Sequence, residues 1–251
     1  MAKHKNNFTP RFLDFIVANI KGEADYRISK GENREDVYVD LAIKVMRLAH
    51  HGQVLKMGGP YYTHPQYVGD CFSNPLIRQL GYLHDIGEDS NITAGILKRM
   101  GFHPDVINGF IACTKLPKEL YLDYSERVGK DPLACLIKPV DADHNSWPSR
   151  EPPKKLTEKR VLHRVDYTLT VPYHNYLNGL RAHRLTKRAN ELTIAQFMYE
   201  TDFLTDKPPE EIDLIHKVLL THSSDPAREF WFNAAMRLAA ESGLKLEAPA
   251  A

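Results

Sequence analysis

The sequence predicts an all-α fold, on three observations. Apolar residues recur at three- and four-residue spacing, as in Val37, Leu41, Val45 and Leu48, which marks one buried helix face. Capping and breaking residues fall where such helices would start and stop. No stretch alternates apolar and polar residues in the way a half-buried strand does.

Taken in order, the first such helix starts near Asn33 or Asp36, either of which can cap it. Residues 52–65 contain Gly58-Gly59-Pro60 and read as a loop. A helix resumes after Pro65 and runs to about Phe72. Leu76 to Ile86 is apolar and reads as a buried helix carrying His84 and Asp85. Thr93 to Met100 forms another, stopped by Gly101, and Asp105 to Thr114 one more. Pro132 to Val140 delivers Asp141 at its end. Residues 147–155 are rich in proline and charge and read as a loop. Thr157 to about Leu180 reads as a long helix that Pro172 should kink or end. Asp206 to Glu211 opens a further helix. Asp225-Pro226 opens the last, as N-cap acid and first-turn proline, and Gly243 closes it.

A chain of 251 residues with 43% apolar and 26% charged residues can bury a substantial core, in one large domain or two small ones. A formal net charge of +1 gives no general attraction to nucleic acid or to a membrane. Cys71, Cys113 and Cys135 lie far apart without CxxC spacing, which argues against a thiolate zinc cluster and a disulfide framework. They read as three buried thiols of a reducing compartment. The polar start Met1-Ala2-Lys3-His4 does not resemble a signal peptide, and no run reaches the roughly 18 apolar residues of a membrane helix. The cytoplasm is the expected location.

Four residues carry the chemistry: His64, the pair His84-Asp85, and Asp141. Singly, His64 reads as a loop histidine, Asp141 as a helix cap, and Glu88 with Asp89 as a solvated helix end. Together, two imidazoles and two carboxylates suit one divalent metal with positions left open for water and substrate. Such a cation lowers the pKa of bound water, and Glu88 or Asp89, one helical turn beyond the pair, could orient that water or shuttle its proton.

The flanking residues strengthen the case. Ala49-His50-His51-Gly52-Gln53, with Gly58-Gly59-Pro60-Tyr61-Tyr62-Thr63-His64-Pro65, is similar to the opening signature of the HD-domain phosphohydrolases of the RelA/SpoT-type hydrolase and small alarmone hydrolase family. Leu83-His84-Asp85-Ile86-Gly87-Glu88-Asp89-Ser90 resembles that family's central motif. Lys138-Pro139-Val140-Asp141-Ala142-Asp143-His144-Asn145 resembles its closing one. The resemblance spans about residues 37 to 170. Leu55 stands where the family commonly has arginine, Gly59 where it has glutamate, and Pro139-Val140 where it has leucine-alanine.

The resemblance implies an HD-domain helical bundle over residues 1–182, with additional C-terminal helices over 183–251. It implies His64, His84, Asp85 and Asp141 as ligands of Mn²⁺, with Fe²⁺, Mg²⁺ or Zn²⁺ as alternatives, and Glu88 and Asp89 as the catalytic acidic pair. Lys56, Lys115, Lys118, Asn145, Arg160, Arg164 and Tyr167 would contact substrate. The implied reaction is hydrolysis of the 3′-pyrophosphate of ppGpp or pppGpp, a stringent-response alarmone, giving GDP or GTP and pyrophosphate. The alternatives are another HD-type nucleotide phosphohydrolase acting on ppApp, a dNTP or NADPH, and a non-catalytic nucleotide-binding module. No part of the sequence resembles the synthetase domain of the long stringent-response enzymes, which suggests a stand-alone hydrolase. A homodimer and a partner toxin synthetase are the protein partners to consider.

The strip of Tyr167, Tyr173 and Tyr176 with Arg164, Arg181, Arg184 and Lys187 reads as an amphipathic helix showing solvent its charged side, with phosphate or RNA binding as the alternative. Phe230, Trp231 and Phe232 read as core or a subunit contact.

Overall fold

The computed structural model describes residues 5–56, 58–147 and 157–243. The regular elements of the described residues are helices: α1 Pro10–Ser29, α2 Arg34–Ala49, α3 Thr63–Asp70, α4 Pro75–Leu83, α5 Ile86–Asp89, α6 Ala94–Met100, α7 Pro104–Cys113, α8 Tyr121–Lys130, α9 Pro132–Ser146, α10 Glu158–Ala182, α11 Thr186–Glu191, α12 Ile194–Glu200, α13 Pro209–His222 and α14 Arg228–Glu241. Among the described residues no strand forms, and two isolated bridges, Asn6 with Ser90 and Val54 with Pro60, stand outside the helices. The all-α expectation holds.

Two compact units emerge, the first Met1–Lys115 with Asp131–Pro153, the second Leu116–Lys130 with Lys154–Ala251. This division is discontinuous, whereas the sequence reading divides the chain once, at residue 182, the end of α10.

In the first unit, α4 is the central element, packed on α2, α3, α7 and α9. Its position follows from composition, since Leu80, Tyr82 and Leu83 are fully buried. Each such side chain contributes about 1.5–3 kcal/mol. Asn74 caps its start by accepting from the Leu76 and Ile77 N–H groups, with Pro75 at the first helical position. The crossing of α3 and α4 is close enough that both helices use glycine there. A Cβ on Gly81 would lie 2.7 Å from Gly69 Cα, and one on Gly69 would lie 2.3 Å from the Tyr82 ring.

Helix α1 was not foreseen, although its signals are regular. Thr9 accepts from the Phe12 N–H, Pro10 opens the first turn, and Leu13, Ile16, Val17, Ile20 and Ala24 form its buried face. The segment ahead of it is also tied down. The Asn6 N–H donates to the Asp89 carbonyl, and the Asn91 N–H donates to the Asn6 carbonyl. Asn6 Nδ2 donates to the carbonyls of Ala49 and His51.

Several boundaries differ from expectation. Of the two candidate caps of α2, Asn33 does the work, accepting from the Asp36 N–H. Helix α3 starts at Thr63, so His64 lies in its first turn and not in a loop. The apolar run 76–86 is not one helix, because α4 stops at Leu83 and α5 starts at Ile86, leaving His84 and Asp85 in the turn between them. Helix α9 continues past Asp141 to Ser146 with Pro139 inside it, and α10 continues through Pro172 to Ala182. Each proline removes one backbone donor, a loss that tertiary packing of the buried faces outweighs. Helix α14 begins two residues beyond Pro226, with Asp225 accepting from the Ala227 N–H. Cys71 is exposed, unlike Cys113 and Cys135. Within the proline-rich loop, Pro148 to Lys155 lie outside the described residues.

In the second unit α10 is the spine, packed on α8, α11, α12 and α13. The basic, aromatic strip proves largely structural. Tyr173 is buried and donates to the Leu192 carbonyl at 2.6 Å, and Arg181 binds the Gly129 carbonyl and Asn190 Oδ1. Phe232 joins the core, whereas Phe230 is exposed.

Burial pushes the Glu126 carboxyl up to about 7; the Ile194 N–H that it accepts at 2.9 Å opposes this, and Asp225 and Asp123 add to it. For an acid whose folded pKa lies above its unfolded value, the native state binds the extra proton. Stability therefore falls as pH rises from about 4.5 through about 7. Glu126→Gln keeps an acceptor for Ile194 and removes the ionisation. It should raise the melting temperature at pH 8 and leave it nearly unchanged at pH 4, a difference of at most about 3 kcal/mol. Equal effects at both pH values would contradict the assignment.

Candidate metal centre

Three helices of the first unit bring the centre together. His64 comes from the first turn of α3, His84 from the C-cap of α4, and Asp141 from the interior of α9. All three are buried, and their ligand atoms lie within 4.8 Å of one another. His64 Nε2 is 3.0 Å from Asp141 Oδ1, and His84 Nε2 is 3.5 Å from the same oxygen. Asp85 borders the group, with Oδ1 3.3 Å from His84 Nε2 and Oδ2 3.6 Å from His64 Nε2. Tyr61 holds that carboxylate by donating from its hydroxyl to Oδ2 at 2.5 Å.

Two observations show that these residues fit a cation. The first is His84 Nε2, a buried nitrogen that makes no hydrogen bond. Its ring is already oriented, because Nδ1 lies 2.7 Å from the Gly81 carbonyl, which can only accept. The proton therefore sits on Nδ1, and in the neutral ring the Nε2 lone pair faces the carboxylates. The second is the charge balance. Burial opposes protonation of His84, yet Asp85, Asp141 and the Gly81 carbonyl outweigh it and raise the pKa to about 9. The carboxylates thus demand positive charge at the point where the imidazoles converge. Burial holds the His64 pKa down despite the same carboxylates. The cluster suits a divalent cation, and nitrogen with oxygen donors is a set compatible with several first-row metals.

Asp141 stays ionised although fully enclosed. Burial alone would raise its pKa, but Lys138 and the two histidines hold it well below the usual carboxylate range. Lys138, itself buried, donates from Nζ to Asp141 Oδ2 at 2.7 Å, and Asn145 Nδ2 donates to Oδ1 at 2.7 Å. This leaves Oδ1 facing the histidines. Lys138, Tyr61 and His144 were not singled out from the sequence. The signal for Lys138 was its place three residues before Asp141, which sets both on one helix face.

The other expected site residues divide into three groups. Glu88 and Asp89 do not form one patch. Glu88 is exposed and accepts from the Lys115 N–H at 3.0 Å. Asp89 is buried, with Oδ2 3.8 Å from His50 Nδ1. They diverge because α5 is a single turn with one face packed inward. Lys56 is exposed on a tight loop in which the Leu55 N–H donates to the Gly59 carbonyl and the Tyr61 N–H to the Gln53 carbonyl. Gly58 and Gly59 both have positive φ, 90° and 83°, so glycine at 59 fits a left-handed backbone that glutamate would strain. Lys118, Arg160, Arg164 and Tyr167 belong to the second unit. Lys118 has φ 64°, Arg164 is exposed on α10, and the Tyr167 ring packs against Tyr121 and His163.

No family model matches the chain. It is similar to a GTP pyrophosphokinase of Streptomyces antibioticus, 26% identical over 157 residues, which is 57% of this chain and 18% of that protein. It is also similar to a GTP pyrophosphokinase of Streptomyces coelicolor, 25% identical over 190 residues, 70% of this chain and 22% of that protein. The chain thus spans about a fifth of the length of the curated relatives it matches. Among the described residues no helix is long and apolar enough to cross a membrane.

Proposed function

We propose that this protein is a metal-dependent nucleotide pyrophosphohydrolase of the HD-domain type, which removes the 3′-pyrophosphate of ppGpp or pppGpp. The observation that carries the reading is the convergence of His64, His84 and Asp141 from three helices onto one buried point. The relatives' names connect them with GTP and pyrophosphate. Their activity belongs to much longer chains, of which the matched stretch is 18% and 22%, and the motifs found here resemble the hydrolase portion of that family.

In this reading His64, His84, Asp85 and Asp141 hold one divalent cation, with Mn²⁺ the first choice. When bound, the cation supplies Lewis acidity toward water and phosphate oxygens. The chain's own residues do the rest. Lys138 keeps Asp141 ionised, Asn145 aims it, and Tyr61 aims Asp85. Asp89, or Glu88, takes the proton of the attacking water. The water oxygen bonds to the phosphorus nearest the ribose, the bond from that phosphorus to the 3′ oxygen breaks, and the 3′ oxygen leaves with a proton. Lys56, Lys115 and Asn145 are proposed to hold the substrate. For Lys118, Arg160, Arg164 and Tyr167 the same role rests on the resemblance alone.

The test is product analysis of purified protein with Mn²⁺ and ppGpp, ppApp, dNTPs and NADPH in separate reactions. The expected result is GDP and pyrophosphate from ppGpp. The relatives' name favours a second reading, synthesis, so GTP with ATP is a further reaction to run. Formation of pppGpp there, or nucleotide binding without turnover in every reaction, would overturn the proposal.

A further inference from the structure

His84 and His64 present the same atom, Nε2, to the centre, but their far sides are secured differently. His84 Nδ1 faces a carbonyl, which admits only one tautomer. His64 Nδ1 faces another imidazole, His144 Nδ1, at 2.8 Å. Two ring nitrogens at that distance share one proton, so one donates and the other accepts. Two states satisfy the pair. In one, His64 carries its proton on Nε2, donates to Asp141 Oδ1 at 3.0 Å, and accepts from His144. In the other, His64 carries its proton on Nδ1, His144 accepts it, and the His64 Nε2 lone pair is directed at the centre. Only the second leaves neutral His64 able to ligate a cation.

We infer that His144 is a positioning residue that fixes His64 in the metal-binding tautomer. The inference rests on the proposed metal centre and goes beyond it in giving His144 a defined protonation pattern: Nδ1 bare, Nε2 protonated. The surroundings hold the ring where this requires. His144 lies on the same helix as Asp141, three residues on, so one element sets both partners of His64. Its ring stacks on Tyr67, with centroids 4.2 Å apart and planes at 29°. The Trp147 ring meets it edge-on at 4.7 Å, and Trp147 is anchored in turn by its Nε1–H, which donates to Asp143 Oδ2 at 3.1 Å. A ring held on these sides cannot swing away when the proton moves, so the exchange is between tautomers and not between rotamers. A fixed partner on the far nitrogen of a ligating histidine typically changes metal affinity by about 10- to 100-fold.

The experiment uses Zn²⁺, a diamagnetic probe, with the full chain. Long-range ¹H–¹⁵N spectra of the zinc-loaded protein should show His64 protonated on Nδ1 and His144 on Nε2. By titration calorimetry, His144→Phe, which keeps the stacking on Tyr67 but cannot accept, should bind zinc about 10- to 100-fold more weakly. His144→Gln, whose amide oxygen can accept, should recover most of that loss. Circular dichroism of both variants should match the parent, which separates positioning from folding. Zinc uptake by the parent with an unprotonated His64 Nδ1, or full affinity in His144→Phe, would overturn the inference and leave the metal centre standing. No zinc uptake by the parent would overturn the metal centre, and the inference with it.

Discussion

Replacing His84 with alanine should abolish metal uptake and lower turnover by roughly 10³-fold or more, since the several kcal/mol of charge stabilisation that a cation provides disappears with it. The size of the effect follows from the surroundings of the imidazole. His84 is 3% exposed, its Nδ1 is committed to the Gly81 carbonyl, and its Nε2 faces two carboxylates. Nothing else in the turn between α4 and α5 offers a second nitrogen. The truncation also leaves Asp85 and Asp141 facing each other with less compensation, although Lys138 still neutralises Asp141 from the other side. The fold should therefore survive with modest loss, and this is the reason for choosing His84 in preference to Asp141. Removal of Asp141 would take from buried Lys138 its 2.7 Å ion pair, a change that costs about 3–5 kcal/mol. Metal content by elemental analysis, thermal melting and ppGpp turnover would be measured on the same sample. Full metal occupancy and full turnover in His84→Ala would remove His84 from the centre.

The second large effect is expected at the crossing of α3 and α4. Gly81→Ala places a methyl group 2.7 Å from Gly69 Cα and 2.8 Å from Gly69 N. Both are backbone atoms, so no side chain can rotate to make room, and the helices must separate. Overpacking of this kind costs about 3 kcal/mol, or about 6 to 12 °C in melting temperature for a chain of this size. The separation also moves His64, five residues before Gly69, relative to His84, three residues after Gly81. Metal affinity should fall together with stability. Gly179→Ala is the control, because a Cβ there meets nothing within 4 Å. Alanine in that helix interior should be neutral or stabilising by up to about 1 kcal/mol. A Gly81→Ala protein as stable as the parent would show that the two helices do not approach so closely.

The helical class was legible because it rests on periodicity, which is local. A cap for α2 at Asn33 or Asp36, and the stop of α6 at Gly101, left-handed at φ 94°, were legible for the same reason. What escaped the sequence was decided by packing. Pro172 looks like a breaker, yet it sits inside α10, whose buried face is long enough to carry it. The run from Leu76 to Ile86 holds no proline, and its one glycine, Gly81, lies inside α4, so no breaker marks the turn at His84 and Asp85. Grouping His64, His84, Asp85 and Asp141 needed only their order and neighbours. The parts of the centre that sequence reading passed over, Tyr61, Lys138 and His144, act through a hydroxyl, an ammonium and a ring nitrogen whose targets are fixed by the crossing of α3, α4 and α9. The divergence of Glu88 from Asp89 likewise depends on which side of a one-turn helix packs inward, and two adjacent acids look equivalent until that side is known.

Asn6 ties the segment ahead of α1 to both α5 and α2. Its amide and carbonyl clasp the strand-like edge at Asp89 and Asn91, while its side chain reaches the end of α2. Residues 5–8 therefore act as a cord drawn across the root of α5. Asn6→Ala should loosen the cord from the end of α2 and, through it, from α5, since these bonds all run through Asn6.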